Sequence, residues 1–283
     1  MTNKLGAIMN EINPLKQYFR RPGLYLKLPS GGSGYTPADL VLPENGELPV
    51  YPMTAIDEIT SKTPDALYNG VAITEIIKSC VPNILDPWKI TSVDLDAVLI
   101  AIRAATSGGE MELETNCPEC KEDGKYGLNL IGLLSNIKAG DYDSKLIFDD
   151  LTIKLRPLTF KESNQGNTIQ FELQRMLISI QNIEDEDARL KASTDALAKV
   201  NNITMNLISD SIEYIKTPNS TVLDKEFILE YLQNCDKNTF AKIRQATIDL
   251  REDSEIKPLS VKCVHCEYEY TQPFTLNISN FFD

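Results

Sequence analysis

Two C-x-x-C pairs, far apart in the chain, constrain its fold more than any other feature. They are Cys117 with Cys120 and Cys263 with Cys266, in a sequence of 283 residues. Each pair lies between short stretches that alternate polar and apolar residues, a pattern typical of β-strands. A C-x-x-C turn on a hairpin directs two thiolates to one point, and a tetrahedral Zn²⁺ takes four such ligands at about 2.3 Å. The two hairpins are therefore predicted to meet and share one zinc ion, as the halves of a split zinc ribbon.

Two other interpretations of the cysteines stay open. The spacing between the pairs is longer than that of an ordinary zinc ribbon, so the alternative is two unrelated surface thiol pairs. A redox motif is disfavoured because it would begin a helix after a strand, whereas Cys117 precedes a predicted turn at Asp123-Gly124. His265, inside the second pair, either replaces a cysteine as ligand or is exposed at the tip, which we favour. Cys80 and Cys235 are expected to be ordinary buried apolar residues.

The charge and hydropathy of the chain exclude several classes of protein. Forty-one acidic and 28 basic residues give a net charge of −13, which repels phosphate groups and anionic membrane surfaces. Met1–Arg21 lacks the apolar run of a secretory signal. The most apolar stretch, 97–105, is far shorter than the roughly 20 residues that cross a bilayer. We therefore expect no nucleic-acid partner, no membrane association, and synthesis in a reducing cytoplasm.

The sequence offers no catalytic constellation. A single histidine, already placed in a C-x-x-C turn, leaves Ser-His-Asp and Cys-His systems without a base. Gly31-Gly32-Ser33-Gly34 lacks the lysine and the following helix of a phosphate-binding loop. The acidic group Glu184–Asp187 is predicted to be a solvated turn between helices. We expect no enzyme activity and no small-molecule substrate.

The pattern of predicted elements indicates an α+β protein in which a β-rich split zinc-ribbon platform carries two helical segments, at about 54–107 and 160–252. The predicted parts are an N-terminal β arm at 1–53, a helical segment at 54–107, the platform at 108–158 and 253–283, and a helical insertion at 159–252.

Local signals define several elements within these parts. Asn45-Gly46 predicts a hairpin joining the apolar stretches 40–42 and 48–50. Helix starts are predicted at Thr54, at Thr63-Pro64-Asp65 for a helix through Cys80, and near Ser92 for a helix that ends at Gly108-Gly109. In the helical insertion, an apolar stripe from Leu190 to Tyr214 predicts one long helix that ends at Pro218.

The two ends of the chain are predicted to contact other subunits. Residues 1–30 hold five basic residues and one acidic residue, so the arm is basic while the rest of the chain is strongly acidic. The arm can bind through charge and strand addition. The tail 274–283 includes Phe281 and Phe282, which either pack on their own domain or insert into a neighbour.

The order of several short motifs resembles one known family. These motifs are Tyr18-Phe19-Arg20-Arg21-Pro22, Leu26-Lys27-Leu28-Pro29-Ser30-Gly31-Gly32, Val50-Tyr51-Pro52-Met53, Ile102-Arg103, Cys117-Pro118-Glu119-Cys120, Leu155-Arg156-Pro157-Leu158-Thr159-Phe160, the pair at Cys263 and Cys266, and Ser279-Asn280-Phe281-Phe282. In this order the chain resembles the baseplate hub and hub-assembly proteins of T-even-like, contractile-tailed bacteriophages.

The resemblance implies a non-enzymatic structural subunit in the hub region of a phage tail baseplate. Such a subunit is made in the host cytoplasm, resides in the virion, and contacts other baseplate and tail proteins. One alternative is a hub assembly chaperone that is absent from the mature virion. Another, from a different class, is a zinc-ribbon nucleic-acid or transcription accessory protein, which the acidic residues Glu119, Glu122 and Glu267 around the cysteines disfavour.

Overall fold

Two separate apolar cores organise the fold, which is the α+β class predicted from the sequence. The computed structural model describes residues 13–63, 70–148 and 150–274. Elements are numbered below in chain order within these residues. None of the helices described there combines the length and apolarity needed to cross a membrane.

The first core is built mainly by the N-terminal part of the chain, and Leu130, Leu133, Ile137, Phe160 and Phe274 complete it. Its elements are the antiparallel strands β1 (Leu24–Leu26) and β2 (Leu48–Val50), and the helices α1 (Ala55–Ser61), α2 (Val71–Cys80) and α3 (Ser92–Ser107). Nine of the 16 residues of α3 are buried. A helix apolar on nearly all sides must lie inside a domain, so α3 is the centre of this core.

Helix boundaries in this region follow their capping residues. Thr54 and Asp57 form a capping box at the start of α1, as predicted. Helix α3 begins at Ser92 and ends before Gly108, whose φ of +95° favours glycine. The predicted helix start at Thr63-Pro64-Asp65 falls largely outside the described residues, and α2 is described from Val71.

The predicted hairpin at Asn45-Gly46 is wrong in its strand partner. The turn exists, with Gly46 at φ +72°, but β2 pairs with β1, placing Leu48 opposite Leu26. Leu40, from the expected partner stretch, instead forms an isolated bridge with Ile84. Pairing with β1 buries Leu26 and Leu48 together in the first core, and local turn chemistry carries no information about that long-range choice.

The described part of the predicted N-terminal arm belongs to the first core. Asp94, fully buried on α3, accepts hydrogen bonds from the Ser30 backbone N–H at 2.9 Å and from the Tyr35 hydroxyl at 2.7 Å. Burial raises the pKa of Tyr35 well above its usual range, with the Asp94 charge adding to the effect, so the hydroxyl keeps its proton and remains the donor. The part of the arm around Ser30 and Tyr35 is therefore packed against α3 rather than extended away from it.

Two hairpins, each of two strands, lie next to the first core. The first pairs β3 (Glu110–Asn116) with β4 (Asp123–Asn129), and helix α4 (Leu130–Asn136) follows it. The second pairs β9 (Leu259–Lys262) with β10 (Glu269–Gln272).

One detail of the first hairpin differs from the prediction. Asp123-Gly124, expected to form a turn, instead begins β4 opposite Asn116 and Thr115. The reversal of the chain is made by the cysteine turn itself, so no second turn is needed.

The second core lies under a four-stranded antiparallel sheet ordered β5-β6-β7-β8. Helices α5 and α6 form a long antiparallel pair, and α7 and α8 complete the core. The bounds are β5 Lys145–Phe148, β6 Leu151–Leu155, α5 Phe160–Gln181, α6 Glu186–Asp210, β7 Ile212–Lys216, β8 Thr221–Val222, α7 Lys225–Asn234 and α8 Lys237–Ser254.

The predicted single helix from Leu190 to Tyr214 is wrong at its C-terminal end. Helix α6 ends at Asp210, and Tyr214 lies in β7, opposite Lys154 of β6. Ile212 and Ile215, both buried, favour a strand because their β-branched side chains pack well on a sheet. The predicted helical insertion thus contains β7 and β8, and β7 pairs with β6 from the predicted platform.

Candidate metal centre

Each C-x-x-C pair forms a turn with the same backbone geometry. In the first, the Lys121 N–H donates to the Cys117 carbonyl at 3.0 Å; in the second, the Glu267 N–H donates to the Cys263 carbonyl at 3.0 Å. Lys121 and Glu267 have φ values of +63° and +60°, and no other non-glycine residue in the described ranges has a positive φ. This left-handed conformation is uncommon for side chains with a Cβ. Two turns 146 positions apart in the sequence are thus held in one strained shape.

The two turns bring all four predicted cysteines together. Their sulfur atoms lie within 4.8 Å of one another, with Cys117 Sγ 3.7 Å from Cys266 Sγ and Cys120 Sγ 3.7 Å from Cys263 Sγ. Four sulfurs around a tetrahedral zinc at 2.3 Å are about 3.8 Å apart, whereas disulfide-bonded sulfurs are about 2.05 Å apart. The spacing fits metal ligands, and the cluster can hold a metal ion.

Backbone N–H groups favour ionisation at one corner of the cluster. The Cys266 N–H, followed by the His265 N–H at 3.4 Å, lowers the pKa of the Cys263 thiol to about 6. At Cys120 the Glu122 N–H acts in the same direction, but burial and the three neighbouring thiols outweigh it and raise the pKa to about 12. Four thiolates this close repel one another, and a bound cation removes that repulsion. The donor set therefore fits a thiophilic metal ion.

The two hairpins also contact each other outside the cysteine cluster. The Thr115 hydroxyl on β3 donates to Gln272 Oε1 on β10 at 2.8 Å. His265 is exposed, and its Nε2 lies 3.2 Å from the Asp123 carbonyl on β4. His265 therefore links the two hairpins at the tip and is not one of the converging groups. Sequence analysis missed Thr115 and Gln272, because nothing in either neighbourhood signals a partner on a distant strand.

The other two cysteines do not belong to the cluster. Cys80 is fully buried in the first core, and burial raises the pKa of its thiol to about 12. Cys235 is half-buried, with its pKa raised mainly by burial. Both thiols stay protonated near neutral pH, which makes them poor ligands and poor nucleophiles.

The aromatic residues after the second turn divide between the hairpin and the core. The rings of Tyr268 and Tyr270 stack with centroids 6.4 Å apart. Phe274 is buried in the first core. It is the last described residue, so the predicted contacts of Phe281 and Phe282 lie outside the described residues.

Comparison with known proteins identifies the family but no individual relative. Neither a curated protein nor a solved structure matches the chain. The family model for "T4 bacteriophage base plate protein" matches residues 27–283, which include both hairpins, the second core and all of the first core except β1. The chain therefore belongs to the T4 bacteriophage base plate protein family, which confirms the phage baseplate assignment made from the sequence.

Proposed function

We propose that this protein is a non-enzymatic structural subunit in the hub region of a phage tail baseplate. The observation that carries the proposal is the family match over residues 27–283, which implies a location in the virion tail and contacts with other tail proteins. The hub position rests on the order of sequence motifs from Tyr18-Phe19 to Ser279–Phe282. The subunit is made in the host cytoplasm and takes its place during tail assembly.

We further propose that the four cysteines bind one structural Zn²⁺. Four thiolate ligands leave no position for water or substrate, and closed sites of this kind stabilise folds rather than catalyse reactions. Absence of catalysis also fits the only histidine of the chain, which is engaged with Asp123 at the tip of the ribbon. Zinc would join two hairpins that each have only two strands.

Metal analysis of the purified protein tests the zinc proposal. The wild type should contain one equivalent of zinc per chain, and Cys117→Ser should contain little or none. Cys235→Ser is the matched control, because Cys235 is not in the cluster, and it should retain the full equivalent. Zinc-free wild type purified without chelator, or unchanged zinc in Cys117→Ser, would contradict the proposal.

The contacts with neighbouring tail proteins are proposed to involve the two ends of the chain. Tyr18 and Phe19 are exposed near the N-terminus, and aromatic side chains are frequent anchors of protein interfaces. At the other end, Phe281 and Phe282 follow the buried Phe274 by only a few residues. Deletion of residues 277–283 should weaken incorporation into tails without changing the zinc content.

Quantitative mass spectrometry of purified virions tests the position in the particle. A structural subunit is present at a fixed stoichiometry with the other baseplate proteins. The second candidate, a hub assembly chaperone, would be present in infected cells and absent from virions. A third candidate, a nucleic-acid accessory protein, would show salt-dependent DNA binding. The acidic residues Glu119, Glu122 and Glu267 disfavour such binding.

A further inference from the structure

We propose that one copy of this chain binds a second copy through a basic, aromatic segment near its N-terminus and the acidic end of the α5–α6 pair. The basic segment is defined as residues 15–21, and the acidic tip as Glu184–Asp187. The inference deepens the proposed function, on which it rests, by naming the partner of the N-terminal segment.

The basic segment is held in a fixed position by Arg20. Its guanidinium donates to the Ser79 carbonyl at 2.6 Å and to the Ser79 hydroxyl at 2.8 Å, and also to the Pro52 carbonyl. It lies 3.4 Å from the carboxylate of Asp57, which is buried on α1. A segment fixed before binding loses little conformational entropy when it binds, which favours recognition.

The remaining side chains of the basic segment point to solvent. Tyr18 is 78% exposed and Phe19 is 57% exposed. Lys16 and Arg21 are also exposed, and neither makes an ion pair within the described part of the chain. No acidic residue occurs between positions 13 and 30. This is the composition of a hot spot for an acidic partner, with aromatic anchors beside unpaired positive charges.

The acidic tip lies at the far end of two long helices. Helix α5 has 22 residues, so the tip is about 33 Å from the start of that helix. All four residues of Glu184–Asp187 are exposed, and the Asp185 side chain also accepts the Ala188 N–H as the cap of α6. Arg189 is the nearest basic residue and leaves the tip negative.

Exposed aliphatic residues lie next to the tip, which is the solvated turn between two helices that the sequence predicts. Ile178 on α5 is 63% exposed and Leu190 on α6 is 67% exposed, although Leu173 and Ile180 of the same pair are buried. The tip thus combines four acids with uncovered apolar surface. Its charge and apolarity complement the lysine, arginine and aromatic residues of the basic segment.

A second copy is the partner that these observations favour, because one chain carries both complementary surfaces. Such a contact joins two different patches, so it is heterologous and can propagate into a ring or a row of subunits. Both surfaces are exposed in a single chain, so each is accessible to the complementary surface of a second copy. Charge complementarity of this kind chiefly sets the rate and specificity of association, and salt weakens it.

Sedimentation velocity of the full-length protein tests the inference. At low salt and about 100 µM the weight-average mass should exceed the 31.7 kDa of one chain, and about 0.5 M NaCl should reverse this. Lys16→Glu/Arg21→Glu and Glu184→Lys/Glu186→Lys should each weaken association at least about tenfold. An equimolar mixture of the two variants should associate again, since each then meets an oppositely charged surface. These substitutions leave Arg20 and the cap Asp185 unchanged, and circular dichroism checks folding.

Glu226→Lys/Glu230→Lys, on the exposed surface of α7, is the control with the same change in net charge as Glu184→Lys/Glu186→Lys. Association weakened equally by this control would overturn the inference, because only net charge would then matter. A wild type that stays monomeric at low salt, or a mixture that stays dissociated, would also overturn it. Stoichiometric recovery of the wild type in virions is measured separately, so self-association can fail while the proposed baseplate function stands.

Discussion

The first core and the ribbon hairpins are stabilised by different means. In the first core, Val98, Leu99, Ile100 and Ile102 on α3 are almost completely inaccessible to solvent. The four strands of the ribbon bury only Thr115, Gly124 and Val261. Isolated two-stranded hairpins are marginally stable in water. Apolar burial therefore accounts for the stability of the first core but not for that of the two hairpins. The comparison teaches that the hairpins need a source of stability other than apolar burial, and the proposed metal ion at the cysteine cluster would supply it.

Removal of the proposed zinc ion is the strongest way to separate the two regions. Binding of structural zinc contributes on the order of 10 kcal/mol in small zinc domains. Chelation, or Cys263→Ser, should abolish hydrogen-exchange protection in β3, β4, β9 and β10. Protection in α3 should persist, because its core does not depend on the cluster. Equal loss of protection in α3 would show that the two regions fold as one unit.

Shortening a side chain in the first core tests the other half of the comparison. Ile100→Ala should lower the free energy of unfolding by about 2–5 kcal/mol, since it leaves a cavity beside buried neighbours. Denaturant titration measures the change. Ile147→Ala is the matched control, because Ile147 is 75% exposed on β5, and it should change stability by less than about 0.5 kcal/mol. Zinc content should stay at one equivalent in both variants.

The junction between α3 and the end of α8 should make stability depend on pH. Burial raises the pKa of Asp96 to about 6, and the nearby charge of Glu255 adds to this. Because the folded-state pKa lies above the unfolded value, the folded chain holds this proton more tightly. The stability that this more tightly held proton contributes is fully present below pH about 4 and is lost as the pH rises through about 6.

Asp96→Asn should therefore stabilise the protein at pH 7, by about 1–2 kcal/mol. The gain should shrink towards zero below pH about 4, where Asp96 is protonated in both states. Thermal unfolding across this pH range measures the effect. A gain that is the same at every pH would indicate that the ionisation of Asp96 is not its cause.

The smallest expected effect concerns a helix cap next to the first core. Thr54→Ala removes the hydroxyl that accepts the Asp57 N–H at 3.2 Å and should cost about 1 kcal/mol. Thr60→Ala on the same helix is the control, since its hydroxyl bonds only to the Ile56 carbonyl one turn earlier, a bond of little net value. Chemical denaturation should rank the two variants in this order.

The features that could be predicted from the sequence are those with local causes. The capping box at Thr54, the span of α3 and the strand Leu259–Lys262 follow from side chains within a few positions of each boundary. The convergence of the four cysteines was also predictable, because thiol ligands have few stable alternatives and each pair interrupts a strand pattern.

The features that could not be predicted depend on partners far away in the chain. The apolar spacing of α6 continues past Asp210, and only the pairing of Ile215 with Ile153 converts that stretch into a strand. In the same way, the turn at Gly46 formed, while β2 paired with Leu24–Leu26 rather than with its neighbour in sequence. Propensity is a weak prior that tertiary contacts override.

The separation of the two cysteine turns also sets the order of events during synthesis. Cys120 and Cys263 face each other across 143 positions, so the ribosome must translate the whole second core before all four cysteines can come together. Domains of a nascent chain fold from the N-terminus onwards, and the helices α1 to α3 can pack while the second core is still being made, although Phe274 joins the first core only later. Closure of the cysteine cluster therefore follows translation of the second core, and a truncated chain ending before Cys263 lacks two of the four clustered cysteines.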